Sequence, residues 1–272
     1  MIARLWFVAL ASMMLSACAT SSPQNHLHMV VPDSVSAVYS EIGMRLYLVT
    51  EANTTPCIGV ECELDHAFNQ RVLRLGAHLA QSAFEIYPDL AKRFGRFEFV
   101  IAEKSDSGST SSAAGTVVIF RGVQKLHLDE EALAFVIARE MGHIIARHHD
   151  EDAATNILFT VAAQVLMPFA SIIGNISNST TLLQTASATS TVTATAAASA
   201  ASFVGSRVVI ASYKSGQLHE ADVVAMDLLA SMGWNRGEVS DALAASAQVI
   251  GNDKWSKDLR ISAREVVGLA EN

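Results

Sequence analysis

The chain has 272 residues, enough for one or two domains with a sizeable core; half of them are hydrophobic, 17% are charged, and the formal net charge is −8 at pH 7. This is apolar for a purely soluble protein and short of a polytopic membrane protein. The acidity argues against nucleic acid or an anionic lipid surface as the main partner.

Arg4 precedes an apolar run from Leu5 to Leu15, and Leu15-Ser16-Ala17-Cys18 then has the shape of a secretory signal ending in a lipobox. The sequence therefore predicts a lipoprotein signal peptide over 1–17 and a lipid on Cys18. An ordinary cleaved signal is the alternative. Ala19 stands where inner-membrane retention would favour Asp, so the expected place is the periplasmic face of the outer membrane. Residues 18–34 are polar and read as a tether in which His26 and His28 are solvated. With Cys18 acylated, Cys57 and Cys62 remain, and an oxidising compartment makes a disulfide between them the expectation.

The folded domain is expected over 35–272. Val35 to Val49 is weakly helical, and Leu64 to Phe94 reads as a long helix with Phe68, Val72, Leu75, Leu79 and Phe84 on one face and a break at Pro88. His66 and His78 on that helix suit its surface. Phe97 to Ile101 and Thr116 to Phe120 are short, β-branched and aromatic, as strands are, and Lys104 to Gly115 between them reads as a Ser/Gly-rich loop.

Asp129 to Asp150 follows as a helix, with Asp129 as cap and Leu133, Val136, Ile137, Met141, Ile144 and Ile145 at helical spacing. Its polar interior is unusual. A helix that buries one face does not need Arg139, Glu140 and His143 beside Gly142, which costs roughly 1 kcal/mol relative to Ala unless something packs close.

From Ala153 to Ser206 no residue is charged. Helices packed on the domain, a hairpin against the membrane and disorder all remain open for this insert, whose first part is marginal for a membrane span. Arg207 to Ala211 is a possible third strand. Helical periodicity returns from Tyr213 to Gly233, and Glu238 to Ala270 reads as two amphipathic helices that cover the core.

Arg139-Glu140-Met141-Gly142-His143 reads like the zinc-protease motif H-E-x-x-H with its first letter changed. In that motif two histidines four apart share a zinc ion, the Glu activates metal-bound water, and a third ligand comes from elsewhere. The second helix matches as well. The chain resembles the M48 family of gluzincin-type metallopeptidases, which includes CAAX prenyl proteases, membrane quality-control proteases and periplasmic proteases of outer-membrane assembly. The resemblance runs from roughly Leu64 to Gly233. It is firmest at Ala138 to His148, AREMGHIIARH, and at Gln217, Glu220-Ala221-Asp222 and Met232-Gly233.

It implies an α+β, helix-rich zincin domain with a small sheet, whose active-site helix Asp129–Asp150 faces a motif helix near Gln217–Met232. Carried over residue by residue, Glu140 falls on the general base, His143 on a zinc ligand, and Asp222 on the carboxylate that orients a ligand histidine. Arg139 and Leu218 fall on the other two ligand positions. Zinc is the cofactor the family implies, yet one histidine cannot hold it firmly. The resemblance also makes Val117 to Val123 the expected edge strand for a peptide bound by β-addition.

Three functions stay open. Arg139 replaces zinc as the cation tying the two helices, through Glu140 or Asp222, in a pseudopeptidase; or substitute ligands such as His219, Glu220, His148 or His149 maintain an active metalloendopeptidase; or the fold is a scaffold for partners in envelope assembly. Geometry weighs against His219, because the neighbour of a helical position points about 100° away from it.

Overall fold

The computed structural model describes residues 19–21, 27–29, 31–50, 59–154 and 215–270. The uncharged insert from residue 155 onward and the possible strand Arg207–Ala211 lie outside the described residues, as do Cys18 and Cys57. Cys62 is disulfide-bonded.

Along the chain come strands β1 (Ala19–Ser21) and β2 (Leu27–Met29), helices α1 (Asp33–Thr50), α2 (Val60–Ile86) and α3 (Leu90–Arg93), and strands β3 (Glu98–Ala102), β4 (Ser109–Ser111) and β5 (Thr116–Phe120). A 3-10 turn, Arg121–Leu126, leads to helix α4 (Glu130–Ile145), and α5 (Ser215–Ser231), α6 (Arg236–Val249) and α7 (Lys254–Ala270) complete the described chain. It is an α+β, helix-rich fold with a small mixed sheet. Among the described residues no helix is long and apolar enough to cross a membrane.

The first strands pair antiparallel, Thr20 opposite His28, inside the stretch expected to be a plain tether. The main sheet has the order β3-β5-β4, with β3 parallel and β4 antiparallel to β5. Two expectations are corrected here. The Ser/Gly-rich stretch contains a strand, β4, because Ser109 and Ser111 alternate onto one face and pair with Ile119 and Val117. Nor is Val117–Val123 an edge: β5 is central, its main chain is paired on both sides, all five of its residues are buried, and the next residues turn into the 3-10 segment.

Helix α2 lays Phe68, Val72, Leu75 and Leu79 into the core, and His66 and His78 are exposed, as their spacing suggests. Asp129 caps α4 by accepting from the Ala132 N–H at 3.0 Å. Unlike a surface helix, α4 is buried all round, from Ala132 to Ile145. It ends at Ile145, five residues short of the expected end, because Arg147 takes a left-handed backbone (φ 64°) that turns the chain back before helix resumes at His148. Ion pairs to Asp33 of α1 and to Asp150 hold the Arg147 side chain.

Helices α4 and α5 pack closely at Gly142 and Ala221. A Cβ on Gly142 would lie 2.5 Å from the Ala221 carbonyl oxygen, so only glycine permits this approach. The Gly142→Ala variant is therefore expected to lose about 1–3 kcal/mol in urea unfolding although Ala is the better helix former; an unchanged or raised midpoint would contradict this packing.

Candidate active site

Helix α4 carries Arg139, Glu140 and His143 into the core, where they are 2%, 2% and 0% exposed. No such trio is needed to fill space, and burying each ionisable group is costly unless its neighbours compensate. Those neighbours come from β4, from the turn after α4, and from α5 and α7.

Strand β4 serves Glu140. Ser109 Oγ donates to Glu140 Oε1 at 2.7 Å and Ser111 Oγ donates to Oε2 at 2.9 Å, so each carboxylate oxygen accepts a hydroxyl. The Trp255 indole N–H, from α7, donates in turn to Ser109 Oγ at 2.9 Å. Ser111 Oγ also lies 3.0 Å from His149 Nε2. Burial pushes the Glu140 carboxyl above its usual range, while the Arg139 charge and the two serine hydroxyls pull it back. Held in this way, Glu140 is a fixed acceptor.

The turn at Arg147 serves His143. It brings His148 back so that the two Nδ1 atoms lie 2.8 Å apart, with His148 Nε2 3.3 Å from Glu220 Oε2 on α5. Burial, then the charges of His148, Arg139 and His149, lowers His143 well below the ordinary imidazole range, so it is neutral at pH 7. His149 is pushed down to about 3, chiefly by burial. With Glu220 accepting from His148 Nε2–H, a neutral His148 accepts from His143 Nδ1–H, and the His143 lone pair then sits on Nε2. Glu220 thus meets the His143–His148 pair from α5, through His148.

Arg139 sits between these groups and α7. Its Nη1 donates to Ser262 Oγ at 3.3 Å, and its Nε has no hydrogen-bond partner among the described residues. The expected direct links from Arg139 to Glu140 or Asp222 are replaced by this contact to Ser262. Its charge nevertheless acts on Glu140, His143, Asp222 and Asp258 together. Neither Asp222 oxygen has a hydrogen-bond partner among the described residues. Burial raises its carboxyl to about 7, against the pull of Arg139 and of the Ser262 hydroxyl.

These residues do not fit a zinc ion. Leu218 is a buried apolar side chain on α5, and a buried guanidinium stands at the other substituted position. His219 does not substitute: its Nδ1 points to Glu265 Oε2 on α7, 3.2 Å away and half-exposed. Among the described residues no three His, Cys, Asp or Glu side chains gather to hold a metal.

The structure thus brings Arg139, Glu140, His143 and Asp222 into one buried cluster with Leu218 beside them, and turns His219 away. Sequence reasoning misses Ser109, Ser111, Trp255 and Ser262 as partners of the site. The alternating serines of Gly108-Ser109-Thr110-Ser111 are the one legible sign; Trp255 and Ser262 carry no motif. A model of peptidase family M48 matches residues 92–246, more than half of the chain. No curated protein matches it.

Asp222 gives a pH test. Its folded pKa of about 7 exceeds its ordinary value of 3.8, so between those values the folded state holds a proton that the unfolded state has lost. Its contribution to stability therefore falls as pH rises through that window. Asp222→Asn is expected to raise Tm by about 3–6 °C at pH 8 and by little at pH 4, measured by calorimetry; an equal shift at both values would show that the carboxyl is not perturbed.

Proposed function

The chain belongs to peptidase family M48, and on that premise we propose that it is a pseudopeptidase: a metallopeptidase-like protein in which Arg139 does the structural work of zinc. The observation that carries this reading is the buried Arg139 guanidinium at one ligand position together with buried Leu218 at another. A family site balances a divalent cation against a ligand Glu and a base Glu. Here one positive charge faces Glu140, and the second ligand carboxylate is gone, so the electrostatics of the core are conserved while the open coordination position is lost.

The chain's own residues suit holding rather than hydrolysis. Ser109 and Ser111 each donate to one oxygen of Glu140 and fix its orientation. Glu220 and His148 hold the His143 ring in place. With the lipobox at Cys18, this supports a lipoprotein on the periplasmic face of the outer membrane that binds polypeptides in envelope assembly or quality control. Membrane fractions containing Cys18→Ser are then expected to lose the protein to the soluble periplasm, whereas retention would show that Cys18 is not the anchor.

The competing reading, an active peptidase with substitute ligands, is favoured by one observation, the 2.8 Å approach of the His143 and His148 Nδ1 atoms. Metal analysis beside a peptide-cleavage assay separates the two. Wild type is expected to bind zinc far below one equivalent and to cleave nothing, and Arg139→His with Leu218→Glu to gain zinc and activity. One equivalent of zinc in wild type, with cleavage abolished by Glu140→Gln, establishes the active enzyme instead.

A further inference from the structure

We infer that the outward face of α1 is a membrane-contact surface: Val35, Val38 and Ile42 rest in the interface of a zwitterionic phospholipid bilayer, beside the lipid on Cys18. The inference rests on the lipoprotein reading and adds to it how the folded domain meets the membrane.

Helix α1 turns serines in and aliphatic side chains out. Ser36, Ser40 and Met44, four apart, face the domain: Ser36 and Met44 are buried, and Ser40 Oγ accepts from the Ala113 N–H at 2.9 Å. The opposite face carries Val35, Val38 and Ile42, which are 40%, 61% and 47% exposed, and Leu46 continues the row. Burial against a core favours the reverse arrangement. Arg45 lies on the flank of the row, exposed and paired with Glu41 at 2.9 Å, so the charge of α1 stands at the edge of the apolar face and leaves its centre free of it.

The chain before α1 decides what lies against this row. The β1–β2 hairpin sets Ala19 opposite Met29, and Cys18 is bonded to Ala19, so the stretch between anchor and helix folds back on itself. Antiparallel partners lie about 5 Å apart and the chain from Met29 to Asp33 spans at most about 14 Å, which puts Cys18 within roughly 23 Å of the start of α1. A fully extended stretch would reach about 50 Å. Val35, Val38 and Ile42 also occupy the half of α1 nearer to the anchor. A lipid on Cys18 thus holds the row at the bilayer surface, where the apolar face of a helix lying in the plane enters the headgroup and acyl boundary by about 5–10 Å.

Other features agree with a helix that lies on the bilayer. Among the described residues no helix is long and apolar enough to cross a membrane. The net charge of −8 makes an apolar contact with zwitterionic lipid the suitable kind, rather than attraction to an anionic surface. A row of a few side chains is also too small for a second copy of the chain, since a stable interface buries about 800 Å² on each partner.

The test uses the full, lipidated chain in vesicles of phosphatidylcholine and phosphatidylethanolamine, with the dye NBD attached through Val38→Cys and, in a second protein, through Ile42→Cys. Vesicles containing phosphatidylcholine spin-labelled near the top of its acyl chain are expected to lower the emission at both positions about twofold relative to vesicles without spin label. Protein that floats with the vesicles but is quenched at neither position overturns the surface and leaves the anchor standing. A blue-shifted dye that stays unquenched does the same, and shows the row to be covered by protein, either the uncharged insert or a second copy. Protein that does not float with the vesicles overturns the anchor, and the surface with it.

Discussion

Everything around α4 answers one constraint: a helix buried on all sides carries a guanidinium, a carboxyl and an imidazole at its centre. Each such group is unfavourable in a medium that cannot solvate it, and the cluster is stable only if neighbours supply charge or hydrogen bonds. Arg139 supplies the charge for Glu140 and Asp222, and serines and histidines from other elements supply most of the rest. Arg139 and Asp222 are related by charge and through the Ser262 hydroxyl that lies against both, and burial of the carboxyl is expressed in the raised Asp222 pKa.

Two backbone features let the cluster form. Gly142 lets α5 approach until a Cβ would touch the Ala221 carbonyl, which places Leu218, Glu220 and Asp222 beside the polar centre. The left-handed Arg147 ends α4 and folds His148 and His149 back onto His143 and Ser111. Ion pairs from Arg147 to Asp33 and Asp150 offset its unfavourable backbone and link the N-terminal helix α1 to the geometry of the site, which α1 also meets where Ser40 and Glu41 bond Ala113 and Ser112 beside β4.

Much of this is legible in the sequence, for identifiable reasons. Strong periodicity locates α2, α4 and the C-terminal pair, and the strand Thr116–Phe120 is legible residue for residue because β-branched and aromatic side chains fill it. The motif letters at Glu140, His143 and Asp222 mark the core of the site, and the anomalous Gly142 signals the close helix contact. Three things are not legible. Ser109–Ser111 reads as a loop because its residues are small and polar; they form a strand since the site itself is polar where they face it. The central place of β5 depends on that strand and is hidden with it. The partners Trp255 and Ser262 are set by how α7 crosses the site, a long-range placement that local pattern does not encode.

The central claim is that the Arg139 charge holds this buried cluster together, and Arg139→Met tests it most directly, since Met fills similar space without the charge. Calorimetric melting at pH 5 and pH 8 should show a loss of stability at both values that is larger at pH 8, where the carboxyls of Glu140 and Asp222 must ionise without a counter-charge. A Tm that is unchanged or higher, and equally so at the two pH values, would contradict the claim and make Arg139 a passenger in an abandoned metal site.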